Sequence, residues 1–101
     1  FAAGDLDGRW RLEGVYNHME SGEVHSGYLT VASGKIVAGE LDGETLASGS
    51  KLSLSSAGVL SGTIQTTDGT KYGIKNGKLD SSKQIMTFMS GLHLFIGYAE
   101  R

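Results

Sequence analysis

Three histidines carry most of the chemistry this chain could do. His18 and His25 flank Ser21-Gly22. If Ser21-Gly22 forms a two-residue loop, positions 20 and 23, 19 and 24, and 18 and 25 stand opposite each other. Both imidazoles then share one face of the hairpin, within chelating reach. Glu20 and Glu23 fall two positions on, and imidazole with carboxylate suits zinc or copper. Solvated polar residues at a hairpin tip explain the same pattern more simply, so no metal is assigned. His93 sits between Leu92 and Leu94 in an alternating stretch, which turns it away from the side those leucines fill. It reads as a surface or interface group rather than a base.

Other catalytic patterns are missing from the sequence. There is no Gly-x-Ser-x-Gly elbow and no cysteine, so nucleophilic catalysis has no obvious carrier. Glu13, Glu40 and Glu44 are the candidates for a carboxylate pair, and nothing brings two of them together. The segments Asp5-Leu6-Asp7-Gly8, Leu41-Asp42-Gly43-Glu44 and Thr67-Asp68-Gly69 offer two carboxylates each at most, too few for a calcium loop. Turn chemistry explains Asp-Gly without an ion. The expectation is a protein that is not an enzyme and needs no cofactor.

The elements that must position these groups are β-hairpins. The phrase from Tyr28 to Leu41 recurs from Lys51 to Ile64, and more loosely from Gly77 to Phe88. Each copy is an alternating strand, a Ser/Gly/Asp turn and a second alternating strand, the mark of an antiparallel meander. Gly8–His18 places Trp10, Leu12, Gly14 and Tyr16 on one face, with Arg9, Arg11, Glu13 and Asn17 opposite. Inward sets follow at Leu29 and Val31, at Val37, Gly39 and Leu41, at Leu52 and Leu54, at Leu60, Gly62 and Ile64, and at Tyr72 and Ile74. Asp68-Gly69 signals a tight hairpin, and Asn76-Gly77 a kink or bulge. The last strand is read with Leu92, Leu94, Ile96 and Tyr98 inward.

This predicts eight strands in one domain spanning residues 1–101, with 1–6 a flexible N-terminal segment. An even number of strands lets first and last pair antiparallel, so an all-β, eight-stranded antiparallel up-and-down meander barrel is the economical fold. An open barrel or a two-sheet sandwich is the alternative. Apolar residues make up 39% and charged residues 20%, so a core is expected and disorder is not. A net charge of −2 offers no positive field for nucleic acid, and no stretch is long enough for a spanning helix. The opening Phe1-Ala2-Ala3-Gly4 reads either as the trimmed tail of a signal peptide or as a simple chain boundary. With the Ser/Thr/Gly-rich body, it leads to an expectation of bacterial-type export, periplasmic or extracellular.

Gly8-Arg9-Trp10 on the first strand, with Arg101 after the last, resembles the calycin superfamily of lipocalins and avidins. The resemblance implies a barrel with Trp10 packed under its floor and Arg101 stacked across the indole. It also implies ligand binding. The chain departs from that pattern in being short, in lacking cysteine and in having one Trp, so biotin is not implied.

Two functions follow. A binding module would hold a small, largely apolar ligand between Trp10, Leu12, Tyr16, Tyr72, Phe88 and Tyr98. Alternatively, the apolar excess of the last two strands would leave Phe95, Ala99 and His93 outside as an interface. The chain would then be a homo-oligomeric surface or filament subunit; an exported protein inhibitor, reaching another protein chain with its N-terminal segment, is the further alternative.

Overall fold

Alternation of apolar and polar residues commits a chain to strands, and nearly all of this sequence alternates. A computed structural model describes residues 1–18, 21–33 and 35–100, with side chains for all of these except 3, 17, 18 and 21–23. Its strands are β1 (Gly8–His18), β2 (Ser21–Ala32), β3 (Lys35–Leu41), β4 (Glu44–Thr45), β5 (Lys51–Leu54), β6 (Val59–Gln65), β7 (Lys71–Gly73), β8 (Lys75–Leu79), β9 (Ile85–Ser90) and β10 (His93–Ala99). They form one antiparallel sheet in the order β4-β3-β2-β1-β10-β9-β8-β6-β5, with β7 against β6. The sheet is all-β, up-and-down in connection and curled into a half-barrel; it is not a pair of stacked sheets.

First and last strands pair as expected, from Trp10 opposite Ala99 to Tyr16 opposite His93. The seam falls elsewhere, between β3–β4 and β5–β6. It is stitched at one end by a bridge between Leu46 and Thr66. Beside that bridge, Ala47 N–H donates to the Gln65 carbonyl at 2.7 Å and Thr67 N–H to the Thr45 carbonyl at 2.9 Å. Among the described residues, ten strands replace the eight expected because β4 is an extra short pairing and Thr70–Leu79 divides at Ile74. The bulge expected at Asn76-Gly77 is present: Asn76 has φ +52° and the β8–β9 register slips between Lys75 and Lys78.

Trp10, Leu12, Leu29, Met86, Phe88 and Phe95 are all at most 1% exposed and fill the interior. Of the N-terminal residues 1–6, Leu6 joins that core. Ala3–Leu6 form a 3-10 turn, Leu6 is buried, and its carbonyl accepts the Trp10 indole N–H at 2.8 Å. A buried indole needs one acceptor, and the turn supplies it. The Trp10 floor therefore rests on Leu6; the Arg101 stack lies outside the described residues.

Three side-chain directions differ from expectation. The β1–β2 register sets His18 opposite Ser21 and Gly14 opposite His25, so Ser21-Gly22 belongs to β2 and the 18:25 pairing does not form. Val37 is 60% exposed because the β2–β3 register shifts at Thr30/Val31, and Ile36 turns to the core instead. β10 is inverted: Phe95 is fully buried, while Leu92, Leu94 and Tyr98 lie outside, so Phe95 and Ala99 face inward rather than forming an interface. Volume decides this last case. A Cβ on Gly14 would lie 2.7 Å from the Phe95 ring, and one on Gly97 2.7 Å from Met86 Cγ. The inward side of β10 alternates large and small to fit its neighbours, and alternation of hydropathy alone cannot reveal that.

Asp68 and Asp80 serve turns rather than ions. The Thr66 hydroxyl, then the Thr70 amide, hold the Asp68 carboxyl below its usual value. The Ser82 hydroxyl does most to lower Asp80.

Replacing Trp10 by Ala empties the floor and should cost about 3–5 kcal/mol, read as a lower midpoint in urea unfolding. An unchanged midpoint would mean that the indole is not the base of the core.

Candidate functional site

Parity along three strands sends a polar set into one mouth of the half-barrel. On β1, Gly14 and Tyr16 continue the inward row of Trp10 and Leu12. On β2, His25 continues the row of Leu29 and Val31 and lies opposite Gly14. On β10, Phe95 flanks Gly14 from the other side and His93 lies opposite Tyr16. Tyr72 of β7, opposite Ile64 of β6, reaches the same cluster from across the barrel.

Asp42 completes the group from the turn after β3. Its φ of +53° is one that Asp tolerates. Two bonds lock it to Ser26: the Asp42 N–H donates to the Ser26 carbonyl at 2.8 Å, and Asp42 Oδ1 accepts the Ser26 N–H at 2.9 Å. The other oxygen, Oδ2, then meets His25 Nδ1 at 2.5 Å. His25 Nε2 lies 2.8 Å from His93 Nδ1.

The rings pack as tightly as the polar atoms. Tyr16 stacks on His93 with centroids 4.5 Å apart and planes 23° apart. Tyr72 meets His93 edge-on at 5.2 Å and His25 at 5.9 Å. Phe95 lies 5.3 Å from His25 and stacks on Phe88 at 5.1 Å. His25 is 5% exposed, whereas the Asp42 side chain is 38% exposed and Tyr16, Tyr72 and His93 are half-buried. The group therefore runs from core to rim.

Hydrogen-bond roles follow from the donors and acceptors. A carboxylate only accepts, so His25 carries its proton on Nδ1. Between His25 Nε2 and His93 Nδ1, which nitrogen donates depends on the tautomer. The result is a continuous hydrogen-bonded chain Asp42–His25–His93 that fixes the planes and positions of both imidazoles.

Gly14 makes the arrangement possible. Any Cβ there would strike Phe95 Cδ1 at 2.7 Å and push that ring off His25.

Residues anticipated under separate headings thus meet in one place: Tyr16 and Tyr72 from the aromatic wall, His93 from the interface and His25 from the metal pair. Trp10, Leu12 and Phe88 lie apart from the mouth as packed core. Tyr98 is 40% exposed on the outer face, and Ala99 sits half-buried opposite Trp10. The His18 side chain lies outside the described residues. Among the described residues, no group of three or more His, Cys, Asp or Glu is arranged to hold a metal ion. Sequence reasoning missed Asp42, which it read as a turn residue only. The signal was available for His25, whose parity with Leu29 and Val31 points it inward.

The outer face carries a second feature. Val24, Val15, Leu94 and Met89 stand directly beside one another across β2, β1, β10 and β9. Their exposures are 78%, 48%, 42% and 40%. A hollow of about 180 Å³ between Glu13, Val15, Val24, Leu94 and Ile96 lies along this row.

No family model matches the chain, and neither the curated proteins nor the solved structures contain a match to it. The site's geometry is therefore the evidence for its role.

Asp42→Asn keeps the shape of the side chain but removes the obligate acceptor. Long-range proton–nitrogen NMR should show His25 protonated at Nδ1 in the wild type and a tautomer mixture in the variant. Stability should drop by about 1–3 kcal/mol, as for a lost charged hydrogen bond. Identical imidazole spectra in both proteins would remove Asp42 from the chain of bonds.

Proposed function

We propose that the protein is a non-catalytic binding module. It takes a small, planar, largely apolar ligand with one polar hydrogen-bonding group, at the mouth formed by Tyr16, Tyr72, His93 and Asp42. The observation that carries this reading is the buried His25, bonded at both ring nitrogens, amid rings that stay half-exposed. Replacing such a buried polar chain with packed apolar side chains is often neutral or stabilising, so its presence at a rim fits recognition better than it fits stability. The interior is occupied by Trp10, Leu12 and Phe88, which directs a ligand to the mouth. Aromatic faces supply area and a polarised imidazole supplies orientation, the usual division of labour in a small-molecule site. The calycin-like reading belongs to this proposal and is supported by Gly8-Arg9-Trp10 with its fully buried indole. Export belongs to it too, on composition alone.

Titration with phenol and indole, followed by ring resonances in NMR, tests the site. Shifts should concentrate at Tyr16, Tyr72 and His93 and saturate. His93→Phe retains a ring while losing the imidazole nitrogens, and should weaken binding about tenfold, the worth of one hydrogen bond. Flat spectra with both ligands into the millimolar range would end this reading.

The outer row favours a second reading, in which two copies of the chain pack Val15, Val24, Leu94 and Met89 against each other. Light scattering should then give a mass near twice 10.6 kDa, falling to one chain in Leu94→Lys. A strict monomer at high concentration excludes it.

A further inference from the structure

The curl of the sheet leaves its seam half sewn. β3 is paired with β2 along its length. On its other side β4 covers only Glu40 and Leu41, and the Leu46 N–H reaches the Gly39 carbonyl at 3.0 Å. Among the described residues, Lys35–Ala38 therefore have no backbone partner on the seam side. Across the seam, β5 is paired, among the described residues, with β6 alone. Two bare edges thus border one groove of about 420 Å³, lined by Lys35, Ile36, Ser48, Ser50, Lys51 and Ser53. A hollow of about 210 Å³ continues it past Val37 and Ala38 to Leu46.

The chemistry of this groove is specific. An unpaired strand edge presents N–H and C=O groups at fixed spacing, a template that only another extended backbone satisfies in full. Lysine comes from both banks and, among the described residues, no carboxylate lines the groove, although the chain as a whole carries a net −2. Half-buried Ile36 and Leu46 are the apolar ground beneath. Edge lysines and a bulge at Val37 also discourage indiscriminate strand pairing, which restricts the occupant to a chain whose charge answers theirs.

We propose that this seam is a docking site for an acidic, extended peptide segment of a partner protein. The segment adds as a strand to the β3 edge at Lys35–Ala38. Four residues at about 3.3 Å each give roughly 13 Å of edge, enough to register four or five residues of the partner. One set of alternate side chains meets Ile36 and Leu46, and the other reaches Lys35 and Lys51. This goes beyond the mouth site and does not depend on it.

The test uses a synthetic hexapeptide of alternating Glu and Val, titrated into the full chain and followed by amide NMR and hydrogen exchange. Amide shifts should map to residues 35–38 and 51–54, with slowed exchange on the β3 edge. Two controls separate the causes. A peptide N-methylated at alternate residues keeps charge and side chains but cannot pair, and should not bind. The double variant Lys35→Glu with Lys51→Glu should weaken the unmodified peptide by about tenfold or more while leaving the fold's amide pattern intact. Equal binding of the methylated peptide, shifts elsewhere on the surface, or no binding at millimolar peptide would each overturn the proposal.

Discussion

The β1–β10 ladder is the constraint on which everything else in this molecule rests. Without it, the chain is two separate meanders, β1 to β4 and β5 to β10, each with an apolar face it cannot bury alone. The ladder joins them and fixes their register to the residue. That register sets Tyr16 beside His93 and wedges Gly14 between His25 and Phe95. A slip of one position would turn every side chain of β10 over. It would put Leu94 where Phe95 fits and take His93 out of reach of His25. Fold and site are thus consequences of the same ladder.

Much of the fold was readable from alternation. The inward rows at Trp10, Leu12 and Gly14, at Leu29 and Val31, and at Leu60 and Ile64 are as expected. So is the pairing of first and last strands. Alternation failed where both faces of a strand are apolar. In β10 the choice between Leu94 and Phe95 is made by the shape of neighbours distant in sequence, with Gly14 and Gly97 providing the room. It failed again at Val37, where an added residue breaks the period of two. The site was legible only in pieces. Tyr16, Tyr72, His25 and His93 could each be singled out by type, but their meeting depends on which strands become neighbours. Asp42 escaped notice because an Asp before Gly is fully explained by the turn it makes.

The site also shows how a small barrel accommodates polar groups near its core. Each polar atom of the His25 ring has a partner, and the carboxylate that orients it is clamped by its own backbone and that of Ser26. Desolvation of an imidazole is tolerable when both nitrogens are bonded. Among the described side chains, no buried nitrogen or oxygen is left without a hydrogen bond. The aromatic rings around the chain exclude water on the inner side while leaving the rim wet.

The position of the seam has a kinetic corollary. Spatial order round the sheet departs from chain order where β6 pairs β8 past β7 and, far more widely, where β1 meets β10. The β1–β10 junction joins the strands farthest apart in sequence, and assembly of the half-barrel waits on it. The entropy of closing so long a loop grows only slowly with length, by about 0.6 kcal/mol per doubling. The delay is thus in the search and not in the final stability. A circular permutant opened within the Ala47–Ser50 connection, with the present ends linked, would make β10 to β1 a local hairpin and leave the sheet otherwise unchanged.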